Sequence, residues 1–98
     1  VQDTPGFLIN KIIFSDISYF FYLIEVEKFD INEVKKFYLN DTNRINPIKL
    51  LNLIGTDTSL YILKNLNKHD KSFYIPEMLK VAVNDNVLGN KNKKIFMV

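Results

Sequence analysis

The sequence predicts an all-α domain with one long N-terminal helix and about four shorter helices packed on it. Apolar residues recur at three- and four-residue spacing between the polar loops, and no stretch shows the apolar–polar alternation that is typical of strands. The chain has 98 residues, of which 47% are hydrophobic. That is enough for one small core and too little for two independent ones.

The long helix is predicted from Phe7 to about Val26, with Thr4 as the candidate N-cap and Pro5 in the first turn. A helix of this length, on the order of 30 Å, could cross a bilayer. Charged side chains are costly in hydrocarbon, however, and three interrupt the stretch: Lys11, Asp16 and Glu25. We therefore expect no membrane span.

Four consecutive aromatic residues lie in the middle of this helix: Tyr19, Phe20, Phe21 and Tyr22. They point in four successive directions, whereas a helix on the surface of a monomer needs only one apolar stripe. The rest of the chain is short for wrapping the helix completely. The four aromatic residues therefore predict burial on two sides, against the helix's own domain and against a second domain or subunit.

Capping residues mark the next two helices. Asp30 is the predicted cap of a helix that ends near Leu39, and Asn46 with Pro47 opens a helix that Gly55 terminates.

Two further helices follow the same logic. Thr56 or Asp57 is expected to cap the fourth helix, residues 68–72 are expected to form a loop, and Pro76 opens the fifth helix in its first turn. Beyond Gly89 the chain continues as a basic tail.

Composition excludes several classes of function. The chain has no Cys and a single His, so neither a metal site nor a thiol nucleophile is expected. We place the single histidine, His69, in the polar loop predicted over residues 68–72 and expect no catalytic role for it. The net charge of +2 is too small to indicate a nucleic-acid-binding surface, and no G-x-G-x-x-G or P-loop is present. The absence of disulfides and of a signal-peptide pattern predicts a cytoplasmic protein.

Three ordered sequence blocks resemble one family. Asp3–Lys11 reads D-T-P-G-F-L-I-N-K, similar to D-x-P-G-F-[hydrophobic]2-N-R, and Pro47–Thr58 is similar to G-P-x-x-L-x-D-x-[hydrophobic]-G-L-D-[TV]. Pro76–Lys91 resembles P-x-L-x-x-M-V-x-x-x-x-L-G-x-K through Pro76, Met78-Leu79, Val83 and Leu88-Gly89-Asn90-Lys91. These blocks are those of the C-terminal domain of the L-3-hydroxyacyl-CoA dehydrogenase family, which the chain resembles over its whole length.

The resemblance implies an architecture and a set of partners. The fold would be like that of the 6-phosphogluconate-dehydrogenase C-terminal domain, with a homodimer formed through the long helix and closure over acyl-CoA. NAD, together with the catalytic His and Glu, would belong to a dinucleotide-binding domain that precedes this chain. The chain would start where the polypeptide leaves that domain, and it would be inactive in isolation.

The resemblance also assigns a catalytic residue. The family's active-site Asn corresponds to Asn10, where an amide would hydrogen-bond around the reacting 3-oxygen without itself titrating. The next position is usually Arg in the family and is Lys11 here.

The basic tail suggests a second site, in which Lys91, Lys93 and Lys94 would touch phosphates of CoA or NAD.

Two further segments depart from the family pattern. The tail glycines are replaced by Lys93 and Ile95, so no close backbone approach is expected there. The glycine-rich loop before Pro47 is replaced by polar residues, of which Asn40 and Asn46 could adopt glycine-like conformations.

Two alternatives stay open at this stage. One is a purely structural dimerisation module from a paralogue whose catalytic function has decayed. The other is a related dehydrogenase that acts on a different hydroxy acid. Whether Asn10 faces an open cleft or is covered by packing distinguishes the first alternative from the enzymatic interpretation.

Overall fold

The computed structural model describes residues 5–41 and 43–97, and their regular structure is helical. Five helices follow in order: α1 (Pro5–Glu25), α2 (Ile31–Asn40), α3 (Pro47–Ile54), α4 (Thr56–His69) and α5 (Glu77–Asn84). The described residues also contain an isolated antiparallel bridge between Gly89 and Lys94. Helix α1 packs against α2, α3 and α4, and α4 packs against α3 and α5. The predicted all-α class, with shorter helices on a long first one, is confirmed.

The ends of α3 follow the predicted local signals. The Asn46 side chain accepts hydrogen bonds from the backbone N–H groups of Ile48 and Lys49, at 3.0 and 3.4 Å. Gly55 ends the helix with φ 106°, a conformation that residues with a Cβ rarely adopt. Asp30 precedes α2 as predicted, although its side chain makes no capping hydrogen bond. The predicted Thr4 cap of α1 lies outside the described residues.

Three local predictions are wrong. Helix α4 begins at Thr56 with Gly55 as its N-cap, and it continues through His69, so the loop predicted over residues 68–72 starts later. The cationic side chain of Lys68 in the last turn suits the negative end of the helix dipole. Asn46 has φ −69° and Asn40 lies in α2, so neither holds the expected glycine-like conformation.

Aromatic side chains of α1 form the centre of the core. Phe14, Ile17, Phe20 and Phe21 are at most 1% exposed. The Phe20 ring meets Tyr38 of α2 at a centroid distance of 5.4 Å, and Phe21 meets Phe96 of the tail at 6.1 Å. The tail therefore covers α1 from a side that the helices leave open.

Glu25 connects the end of α1 to the start of α5. Its carboxylate accepts hydrogen bonds from the backbone N–H groups of Glu77 and Met78, at 2.9 and 2.8 Å, and from the Tyr74 hydroxyl. Because the α5 N-cap residue is Pro76, which has no capping side chain, Glu25 supplies the cap from another helix. Glu25 is therefore a structural carboxylate.

The Tyr74–Glu25 contact predicts a loss of stability in alkali. Burial, and then the hydrogen bond to Glu25, raise the pKa of Tyr74 from 10.0 to about 12. A raised pKa in the folded state contributes stability that is fully present below pH 10 and is lost as the pH rises to about 12. Phenolate absorbance should show this late ionisation, and Glu25→Gln should lower the Tyr74 pKa. Because burial also raises the pKa of Tyr38, a late step that Glu25→Gln leaves unchanged would contradict the assignment to Tyr74.

By length and hydropathy, Gly6–Glu25 could also cross a bilayer, a property that it shares with the core helices of globular proteins. In this fold the stretch supplies the largest buried side chains.

Candidate functional site

Asn10 lies on the face of α1 that points towards the core. It precedes Phe14, Ile17 and Phe21 by four, seven and eleven residues, which is the spacing of one helix face. Phe14 is the first fully buried residue of α1, whereas Asn10 is only half-buried. Within the described part of the chain, the Asn10 amide has no hydrogen-bond partner. A hydrogen-bond donor and acceptor is thus left half-buried where the buried face of α1 begins.

The surroundings of Asn10 come from α1 and from the end of α4. The Lys11 ammonium group lies 5.6 Å from the centroid of the Phe7 ring, and the His69 ring meets Phe7 edge-on at 6.5 Å. Asp70 is adjacent, and its pKa is lowered mainly by the hydrogen bond from the Ser72 hydroxyl, with a smaller contribution from the charge of Lys11. His69 is exposed, as predicted, but it packs on the turn of α1 that leads to Asn10.

The predicted interface aromatics divide into two pairs. Phe20 and Phe21 are 0% exposed within their own chain, so the prediction that they contact a partner is wrong. Tyr19 is 53% exposed, and its ring lies 14° from parallel with that of half-buried Tyr22. The error came from the assumption that the rest of the chain could not cover both sides of α1, which α2 and the tail together do.

Lys91 is exposed, but its ammonium group is engaged in an ion pair within the chain. Its ammonium group lies 2.8 Å from the Asp57 carboxylate and 3.2 Å from the Thr58 hydroxyl at the start of α4. The hydrogen bond from Lys91 is the largest cause of the lowered pKa of Asp57. A Cβ on Gly55 would lie 2.7 Å from the Lys91 nitrogen, so the Lys91 side chain passes directly over this glycine.

Sequence reasoning missed the importance of Asn52, which is 8% exposed. Its amide nitrogen donates to the backbone carbonyls of Ile48 and Phe96, both at 3.0 Å, and its side-chain oxygen accepts from the Phe96 N–H at 2.7 Å. The sequence predicted no close backbone approach at Lys93 and Ile95, the positions of the family's tail glycines. In the structure, a close approach occurs at Gly89. A Cβ there would lie 2.7 Å from the Asn52 carbonyl oxygen.

Lys93, which stands at a position where the family has glycine, is exposed and keeps a left-handed backbone with φ 62°. We predict that Lys93→Gly raises the free energy of unfolding by about 0.5–1 kcal/mol, because glycine adopts this conformation without steric cost. The control is Lys94→Gly, at a position without positive φ, which should be neutral or destabilising. Denaturant unfolding compares the two variants. Destabilisation by Lys93→Gly would contradict the prediction.

The described residues contain no group of three or more His, Cys, Asp or Glu side chains that could hold a metal ion. The chain's glycines, Gly6, Gly55 and Gly89, lie far apart in sequence and serve helix ends and the tail. They do not fit a dinucleotide, which requires a glycine-rich turn between a strand and a helix.

Together, the fold and this site define an all-α domain with a half-buried amide, Asn10, where the buried face of its long helix begins. The family comparison identifies the class of domain. Residues 6–98 match the model of the 3-hydroxyacyl-CoA dehydrogenase C-terminal domain, and the chain belongs to this family of oxidoreductases. No curated protein matches the chain.

Among solved structures, the chain is similar to the (S)-3-hydroxybutyryl-CoA dehydrogenase PaaH1 from Ralstonia eutropha. The TM-score is 0.73 and the sequence identity is 25%, over 91% of this chain and 32% of that one. The chain therefore spans about a third of the length of this solved relative.

Proposed function

We propose that the chain acts as the C-terminal helical domain of an NAD-dependent L-3-hydroxyacyl-CoA dehydrogenase, which oxidises 3-hydroxyacyl-CoA to 3-ketoacyl-CoA in fatty-acid β-oxidation. The observation that carries this proposal is the position of Asn10. A half-buried amide without a hydrogen-bond partner among the described residues stands where the family signature has its active-site Asn. Membership of the family supports the proposal.

The role of Asn10 follows from its chemistry. Its N–H group can donate to the substrate's 3-oxygen, and its carbonyl can accept from a hydroxyl, without a change of charge at any working pH. Such a group orients the substrate and stabilises charge on the 3-oxygen while a base elsewhere removes the hydroxyl proton. NAD, when bound, supplies the hydride-accepting chemistry. We assign the NAD site and the His and Glu pair to a preceding domain, because the described residues offer no dinucleotide cradle.

The test is turnover of acetoacetyl-CoA with NADH. The full-length polypeptide that contains these residues should catalyse the reaction, whereas the 98-residue chain alone should not. Turnover by the isolated chain would contradict the assignment of the base and cofactor to another domain. An inactive full-length protein would favour a structural module.

We also propose a homodimer formed through α1, by a different face from the buried aromatic pair. Side chains at alternating four- and three-residue spacing form a largely exposed stripe along the helix and just past its end. This α1 stripe consists of Leu8, Ile12, Ser15, Tyr19, Tyr22 and Val26. Its large exposed members, Leu8, Ile12, Tyr19 and Val26, are 45–61% exposed. The spacing is that of a helix-packing seam, and in an antiparallel pair with twofold symmetry the small Ser15 would face Tyr19 of the partner.

Substituting Ile12, the most exposed large side chain of the α1 stripe, tests this dimer. Ile12→Lys in the full-length protein should produce monomers, because an unpaired charge in the seam is costly to bury. Tyr61→Lys, at a 68% exposed position of α4, is the matched control and should leave the dimer intact. Sedimentation measures both. A dimer that survives Ile12→Lys would overturn this seam.

The rival interpretations make different predictions. A decayed structural module would keep the dimer and lose all dependence on Asn10, whereas a dehydrogenase for another hydroxy acid would keep Asn10 and reject acyl-CoA. The half-buried Asn10 amide, which has no hydrogen-bond partner among the described residues, favours an active enzyme over the decayed module. We propose a cytoplasmic location from the sequence composition.

A further inference from the structure

The first turns of α1 have little packing of their own. None of residues 6–13 is fully buried, and three large apolar side chains in this stretch, Leu8, Ile9 and Ile12, are at least 50% exposed. Helix ends with few buried contacts open at low free-energy cost. Asn10 lies in this segment, so its position depends on the contacts that hold these turns to the domain.

In this stretch Phe7 and Ile13 pack against the core, and Phe7 also forms a cluster with Lys11 and His69. Phe7 lies three residues before Asn10 and four before Lys11, so the three side chains are neighbours on the helix surface. The Lys11 ammonium lies 5.6 Å from the Phe7 ring centroid, and the His69 ring meets the Phe7 ring edge-on at 6.5 Å with an interplanar angle of 86°. The cluster therefore connects the turn that carries Asn10 to the last residue of α4.

We propose that Lys11 and His69 are positioning residues, which hold the Asn10 amide in its working position through their contacts with Phe7. Neither needs to touch the substrate. The inference rests on the proposed role of Asn10, and it gives the only histidine of the chain a role that its sequence context did not suggest.

The geometry explains why both partners of Phe7 matter. The ammonium group is held by attraction to the ring, and the edge-on imidazole fixes the ring against α4. If either is removed, the Phe7 ring loses one of the contacts that fix its orientation. The turn that carries Asn10 then depends more on the packing of Phe7 and Ile13 against the core. Displacement of an orienting group by about 1 Å can lower a rate by up to about 100-fold.

The experiment uses the full-length dehydrogenase and compares kcat and KM for acetoacetyl-CoA reduction. Lys11→Met should lower kcat about tenfold and leave the KM for NADH unchanged, since the change acts on orientation. Lys11→Arg, which keeps the cation, should restore kcat to within about twofold. His69→Ala should resemble Lys11→Met, and it provides a second variant at an exposed position. Lys64→Met, an exposed lysine of α4, is the matched control.

A double mutant separates positioning from an independent effect. In the Asn10→Ala background, Lys11→Met should cause no further loss of kcat, because it acts only through Asn10. Hydrogen exchange of residues 6–13 should rise in Lys11→Met while exchange of the core stays unchanged.

The outcomes distinguish the two proposals. If Asn10→Ala leaves kcat unchanged, the proposed function itself fails. If Asn10→Ala lowers kcat but Lys11→Met and His69→Ala do not, the proposed function stands and the positioning role is overturned. Losses that add in the double mutant would also overturn the positioning role.

Discussion

Replacement of Asn10 by alanine in the full-length dehydrogenase is expected to lower kcat for acetoacetyl-CoA on the order of 100-fold, the usual cost of removing one donor to a developing oxyanion. The reason lies in the structure, because the amide stands half-buried at the edge of the core with no hydrogen-bond partner among the described residues. The stability of the domain should change little, since no internal hydrogen bond is lost with the side chain.

Two variants control this experiment. Asn32→Ala removes an exposed amide of α2 and should leave kcat unchanged. Asn10→Asp keeps the size of the side chain but replaces the donor by a carboxylate, so it should impair the reaction at least as much as alanine and more severely as the carboxylate ionises. An Asn10→Ala enzyme with ordinary kcat would show that the amide takes no part in the reaction.

Replacement of Asn52 by alanine should have the largest effect on stability, about 3 kcal/mol. It removes hydrogen bonds to both the N–H and the carbonyl of Phe96, and these backbone groups are buried. Each buried polar group left unpaired costs about 1–3 kcal/mol. For a domain of this size the melting temperature should fall by roughly 10–20 °C.

Asn52→Asp should also be destabilising, because a carboxylate oxygen would replace the nitrogen that lies 3.0 Å from two carbonyl oxygens. Asn84→Ala, at the exposed end of α5, is the control and should stay within about 0.5 kcal/mol of the parent. Denaturant unfolding of the three variants measures these differences. If Asn52→Ala unfolds like the control, Asn52 does not anchor the tail.

Local signals in the sequence predict most of the helices. Asn46, Pro47 and Gly55 define α3 because their preferences act within a few residues, and the structure shows the capping hydrogen bonds that they predict. The end of α4 was placed too early because Lys68 and His69 are polar. In the helix, His69 contacts Phe7. This contact joins distant parts of the chain, so local signals do not predict it.

The periodicity of apolar residues does not predict contacts between residues that are far apart in the sequence. The tail was interpreted as a basic extension, yet Asn52 and Phe96, 44 residues apart, exchange hydrogen bonds, and Lys91 pairs with Asp57 across 34 residues. Because such contacts were not predicted, Phe20 and Phe21 were wrongly expected to contact a partner. In the structure, α2 and Phe96 cover them. Two sequence blocks that identified the family, Pro47–Thr58 and Leu88–Lys91, meet in the fold through these contacts.

The central claim is that these residues form the helical part of a two-domain dehydrogenase. The most direct measurement is the intact mass of the native polypeptide in its source cell, with peptide mapping upstream of Val1. We predict a longer chain that carries a G-x-G-x-x-G turn and a His and Glu pair ahead of Asn10. A native product of about the present length would leave Asn10 without a base or a cofactor in the same chain and would contradict the account.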